Sequence, residues 1–287
     1  MTAASPAVTA GSGPGRSQQV RSDARLFALA TLARGRIELL QFFRSRDAVV
    51  FTLALPVVML ALLASVFSGT VGSTGVAYSR VYTAGLLAGG LASTSFLNLG
   101  TTIAGERDTG ALKRLAGTPM PPAAYFLGKV ILVLAASGLE IAAMLLVGHF
   151  AYGVALPASP GRWWTFTWVT VLGGTAMSLI GVAASSLPRT GRSAAAVLNL
   201  PFLVMEFLSG VFVPFTALSP GLYTAAGVFP LRWIAEGYRA ALLPSGFARV
   251  EAGHAWNFEM MALVPALWCV VGLVVSARTF RWTKRGE

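Results

Sequence analysis

Apolar and polar positions fall in long blocks along this chain, without the short mixed periods of a soluble domain. Six apolar windows, 48–67, 82–104, 126–150, 164–187, 194–213 and 258–277, are separated by polar or charged stretches. Bilayer hydrocarbon is about 30 Å thick and a helix rises about 1.5 Å per residue, so about 20 apolar residues cross it. The pattern predicts an all-α integral membrane protein with six transmembrane helices over 48–278. Ahead of the first window, Leu26, Leu29, Ala33, Ile37 and Leu40 recur at three- and four-residue spacing, while Arg25, Arg34 and Arg36 lie off that stripe. This spacing predicts an amphipathic helix over 23–47, lying on the membrane surface or packed on another protein domain.

The flanks and the longest connection read differently. Residues 1–22 carry too few large apolar groups to offset the entropy of ordering and read as a disordered tail. No apolar core of a secretory signal follows the first basic residues, so the N-terminus is expected to be retained. Between the fifth and sixth windows, the runs 215–229 and 231–243 are too short and too broken by Pro and Gly to cross separately. They predict an outer re-entrant hairpin over 214–243. Residues 279–287 form a basic tail.

Composition excludes several classes. With 55% hydrophobic and 11% charged residues, the chain lacks the charge a water-soluble surface needs. Its net charge of +11 does not gather on one solvated stripe, as nucleic-acid binding would require. Instead the basic residues flank the apolar windows, 17 on the side carrying both termini and 5 on the other, which predicts cytoplasmic termini. Trp163, Trp164, Trp168 and Trp282 fall at aromatic-belt positions. Cys269 is the single cysteine, and His149 and His254 are the only histidines, so no metal site is expected. Gly128-Lys129-Val130 lacks the residues of a phosphate loop, and Gly11, Gly13 and Gly15 lack the strand and helix of a dinucleotide fingerprint.

The polar connection between the second and third windows reads Glu106-Arg107-Asp108-Thr109-Gly110-Ala111-Leu112-Lys113-Arg114-Leu115-Ala116-Gly117-Thr118-Pro119. Glu106 and Asp108 near a helix start, with Lys113 and Arg114 further on, complement a helix dipole, and Pro119, Pro121 and Pro122 stop the helix. The expectation is a short helix over 105–119, parallel to the membrane. Glu106, Arg107, Gly110, Leu112, Leu115, Pro119, Gly128 and Lys129 match the cytoplasmic-loop pattern of the ABC-2 type transporter permeases, and the chain resembles that family over most of its length. The drug-resistance branch looks nearest. Pro230 to Leu242 is similar, more loosely, to the family's entry into its last outer helix, since Arg232 and Gly237 depart from the pattern.

The resemblance implies an ATP-driven exporter permease in a bacterial cytoplasmic membrane. Two cytoplasmic ABC ATPase subunits would bind ATP and Mg, a second copy or a homologous permease would complete the pathway, and this chain would bind no cofactor and perform no catalysis. The loop helix would couple to the ATPase through Glu106, Arg107, Asp108, Gly110, Leu112, Lys113, Leu115 and Pro119. The N-terminal helix would also contact the ATPase. The pathway would run mainly between the second and fifth spans, and an apolar lining favours amphiphilic or lipid-like cargo.

Intramembrane polar residues bear on this reading and on its rival. Glu140 and Glu206 are costly in lipid and either line a pathway or pack as interhelical hydrogen-bond partners. Asn98 polarises the second span, and Asn199 and Pro201 are expected to interrupt the fifth. Glu236 is expected to pair locally with Arg232 or Arg239 in the outer hairpin. Gly173, Gly174, Ser178 and Gly181 mark a face of the fourth span for close helix approach. An ion-coupled secondary transporter or channel using Glu140 and Glu206 is the alternative, although no internal repeat is evident. A membrane-embedded enzyme would need clustered acids or histidines, whereas Asp23, Asp47 and Asp108 are scattered.

Overall fold

A computed structural model of the chain describes residues 16–212, 219–251 and 253–280. These residues are helical nearly throughout, with no strand among them beyond an isolated bridge between Thr70 and Ala77. The chain is an all-α integral membrane protein. In order come α1 (Arg16–Arg44), α2 (Arg46–Val66), α3 (Tyr78–Ala92), a π-helical segment (Ser93–Asn98), α4 (Leu99–Asp108), α5 (Ala111–Ala116) and α6 (Pro122–Tyr152). They are followed by α7 (Pro160–Ala184), α8 (Gly191–Leu208), α9 (Pro220–Ala226), α10 (Pro230–Leu242), a 3-10 turn (Ser245–Val250) and α11 (Phe258–Thr279). Expectations for residues 1–15, 213–218 and 281–287, including most of the N-terminal tail, the start of the hairpin, Trp282 and the basic tail, lie outside the described residues.

Five helices, α2, α6, α7, α8 and α11, are each long and apolar enough to cross a membrane. The second window falls on α3, the π segment and α4, which run end to end. Ser95 bonds the Leu91 carbonyl within that run, and Thr101 donates to the Leu97 carbonyl at 2.8 Å. The wider π turn is matched from outside by α7. A Cβ on Gly181 would stand 2.8 Å from the Phe96 carbonyl oxygen and 2.9 Å from that of Ser95. The other small residues of α7 admit neighbours in the same way: Gly173 faces Ile234 of α10 and Gly174 faces Leu91 of α3.

Three boundaries differ from expectation. α1 begins at Arg16, ahead of the expected Asp23, and its polar N-terminal turns continue the helix that the apolar stripe marks only further on. The loop helix is shorter than 105–119: Glu106 and Asp108 close α4 instead of opening a new helix. Gly110 then takes the left-handed conformation (φ 70°), which costs glycine little, and α5 restarts at Ala111. Pro201 sits inside α8, which continues unbroken from a Thr190–Ser193 capping box to Leu208.

The main core lies where α3, α6, α7, α8 and α10 meet, around Leu87, Leu91, Phe96, Met144, Met177, Leu198 and Tyr238. α10 is buried along its whole length, against α7, α3 and α11. α2 fully buries only Leu60 and rests Val57, Met59 and Leu63 against the core, while Val50, Val58, Leu62 and Val66 face outward. The stripe of α1 is also exposed at Leu26, Leu29, Ile37 and Leu40. Its opposite face, at Gly35 and Glu38, packs on α6.

Candidate functional site

At the end of the bundle where α1, α4, α6 and α7 meet, four charged side chains form one buried cluster. A Cβ on Gly128 of α6 would stand 2.5 Å from Arg34 Cγ, and one on Gly35 of α1 would stand 2.6 Å from Ile131 Cδ1. Two glycines thus bring the helices together where Lys129 can reach across. Its Nζ lies 2.8 Å from Glu38 Oε1, 2.9 Å from Glu38 Oε2 and 2.6 Å from Glu106 Oε1. Arg34 pairs with Glu38 one turn along α1 and with Glu106 at 3.2 Å, and the Tyr125 hydroxyl donates to Glu106 Oε2 at 2.7 Å. Two cations balance two anions, which is the condition for keeping such groups out of water. Lys129 is only 1% exposed, so its charge is committed to this cluster.

The next residue turns the other way. Arg107 donates to the Ser185 carbonyl at 2.7 Å and to Ser185 Oγ at 3.2 Å, which ties α4 to the C-terminal end of α7. Its guanidinium lies 5.9 Å from the centre of the Phe280 ring. Burial draws Arg107 below its ordinary value, with Tyr125 opposing, yet a guanidinium remains a cation. The end of α4 is therefore clamped on both sides. α5 follows it and is held by Leu112, which is wholly buried beside Ile103 and Tyr125, with Leu115 packed against the same cluster. Burial of one such leucine stabilises by about 1.5–3 kcal/mol.

The eight loop residues singled out in the sequence therefore divide by direction. Glu106, Arg107, Leu112 and Leu115 face the bundle, Lys113 and Pro119 are exposed, Asp108 lies against Gly191 at the start of α8, and Gly110 forms the turn between α4 and α5. Glu38 was missed by the sequence reading, and its signal is Arg34–Glu38 at i,i+4 on either side of Gly35, with Glu38 the only acid of α1 beyond Asp23.

Asn98, Glu140, Asn199 and Glu206 all line one cavity of about 580 Å³, walled by α2, α3, the π segment, α6 and α8. Thr94 donates to Glu140 Oε2 at 3.0 Å. Successive glycines make room for both acids: Gly90 faces the Glu140 carboxylate, and a Cβ on Gly89 would stand 2.9 Å from Glu206 Oε1. Phe51, Phe202, Phe207 and Phe212 complete much of the apolar wall. A second cavity of about 370 Å³ shares Phe51, Thr94 and Asn98 and extends along α4 and α6 to Phe42.

The residues marked in the hairpin region serve packing. Glu236 accepts the Asn257 N–H at 3.0 Å, at the start of α11, while Arg232 and Arg239 of its own helix lie near enough to act favourably on its charge. Arg239 meets Glu251 through two bonds, of 2.5 and 3.3 Å. Arg232 donates to the Tyr223 carbonyl at 2.9 Å and stacks on that tyrosine's ring. Pro230 opens α10. Burying α10 adds partners from the chain that covers it to the near neighbours that helical spacing provides.

The model of the ABC-2 type transporter family matches residues 31–243, from the charged face of α1 to the end of α10. The chain belongs to the ABC-2 type transporter family: it is a membrane transport component, which implies an ABC ATPase partner. Comparison with curated proteins gives no match.

Proposed function

We propose that this chain is the permease subunit of an ATP-driven exporter in a bacterial cytoplasmic membrane, moving amphiphilic or lipid-like molecules outward. Two copies, or this chain and a homologous permease, would pair with two ATPase subunits that bind ATP and Mg. The charge split of 17 against 5 supports cytoplasmic termini, which would set the Arg34–Glu38–Glu106–Lys129 cluster on the ATPase side.

That cluster is the observation that carries the reading. A force applied to α5 reaches α4 across only Thr109 and Gly110, and from α4 it passes through buried charge pairs into α1, α6 and α7. Outward-facing Lys113 and Arg114 supply the ATPase contact, and Glu106 and Arg107 position it. The rival reading, an ion-coupled transporter, is favoured by one observation, that Glu140 and Glu206 share a cavity.

The test is co-expression with candidate ABC ATPase subunits, followed by co-purification and ATPase assays. Charge reversal at Lys113 and Arg114 is expected to weaken the complex far more than it lowers the thermal stability of the permease. Undiminished cargo movement without any ATPase, driven by an ion gradient, would establish the rival instead.

A further inference from the structure

We infer that the 580 Å³ cavity is a recognition site for a lipophilic organic cation, a molecule with an apolar aromatic or alkyl body and one or two delocalised positive charges. The inference deepens the export reading and rests on it only for the fate of the bound molecule.

Three features of the wall specify the ligand. Its volume lies within the 300–1,000 Å³ of sites for drug-sized molecules, too large for an inorganic ion alone. Glu140 and Glu206 contribute carboxylates, and no lysine or arginine stands among the described residues that line it. An anionic headgroup therefore meets only like charge. The rest of the wall is predominantly apolar and includes four phenylalanines, a lining suited to an aromatic or alkyl body.

The acids are also incompletely satisfied. Glu140, 4% exposed, receives the Thr94 hydroxyl, and among the described residues no hydrogen-bond donor reaches the Glu206 carboxylate. A carboxylate kept from water demands either a proton or a counter-charge. The charged cluster at the end of the bundle meets that demand internally, with Lys129 and Arg34 against Glu38 and Glu106. The cavity has no internal cation among its described lining, which leaves a cationic ligand as the source of a counter-charge where the proton is given up. Gly89 and Gly90 let both carboxylates sit close against α3 at one wall of the cavity.

The experiment uses the full chain in nanodiscs of neutral phosphatidylcholine, without ATP or ATPase. Binding of tetraphenylphosphonium and of tetraphenylborate, ions of like shape and opposite charge, is measured separately by equilibrium dialysis above empty nanodiscs. Saturable binding of the cation and none of the anion is expected. Glu206→Gln and Glu140→Gln should each weaken cation binding by about tenfold, equivalent to about 1.4 kcal/mol. Equal binding of both ions, no saturable cation binding, or undiminished binding in the double variant would overturn the inference. If the double variant does not elute as a folded protein, Glu206→Gln and the wild-type comparison of the two ions decide. Charge-selective binding that persists when ATPase coupling fails sinks the export reading alone, whereas intact coupling without charge-selective binding sinks this inference alone.

Discussion

Replacing Lys129 by Met removes one of the two cations that bridge Glu38 and Glu106, yet it keeps nearly the same volume along the stem, so the cavity term is small. What remains is electrostatic. The cluster changes from two cations and two anions to one cation, Arg34, facing two carboxylates. Removing one partner of a buried pair costs about 3–5 kcal/mol. Arg34 persists and the Glu106 side chain is 17% exposed, so the lower end, about 3 kcal/mol, applies. At about 2–4 °C per kcal/mol, the apparent melting temperature in mild detergent should fall by about 6–12 °C. Neutralising the stranded carboxylate should recover part of this loss, so Lys129→Met/Glu106→Gln is expected to melt above Lys129→Met alone. Fluorescence-detected size exclusion after a heating series provides the measurement. A melting temperature unchanged in Lys129→Met, or a double variant lower by the sum of the single effects, would refute the coupled buried cluster.

Three further outcomes follow from the packing. Gly181→Ala sets a methyl against the Phe96 and Ser95 carbonyls, which no side-chain rotation relieves, so a loss of about 1–3 kcal/mol is expected in the same heating assay. Gly128→Val should push α1 from α6, and a disulfide engineered between cysteines at Gly35 and Ile131, whose Cβ atoms would stand 3.2 Å apart, should then form more slowly than in the Gly128 parent. Arg239→Met strands Glu251 and should cost about 3–5 kcal/mol, with recovery in Arg239→Met/Glu251→Gln, read from the amount of folded protein extracted from membranes.

Much of the architecture was legible because a bilayer imposes length and hydropathy so strictly. The windows at 126–150, 164–187 and 258–277 fall on α6, α7 and α11, and the glycines of α7 were readable as a close-packing face. The π segment was not legible: it adds a residue to a turn in a chain of ordinary helix formers, and its match, Gly181, lies on another helix. The buried face of α1 was hidden for a related reason. Hydropathy assigns Arg34 and Glu38 to water, and only Lys129, far along the sequence, makes their burial tolerable. Glu106 and Arg107 were correctly drawn to attention, but which way a side chain points from a loop depends on where Gly110 ends the preceding helix, and no periodicity reports that. The gathering of Asn98, Glu140, Asn199 and Glu206 around one space is likewise a property of how separate spans pack.

α10 carries Arg232, Glu236 and Arg239 within thirteen residues and is buried throughout, so it is too short and too charged to partition into lipid unaided. The groups that neutralise it, Glu251 and the Asn257 amide, arrive only with the chain that leads into α11. During biosynthesis α10 is therefore expected to settle fully against α3 and α7 only once the segment carrying Glu251 and Asn257 has followed it. The region beyond residue 243, which the family match leaves out, thus completes assembly by bringing polar partners to a helix that the earlier spans can only flank.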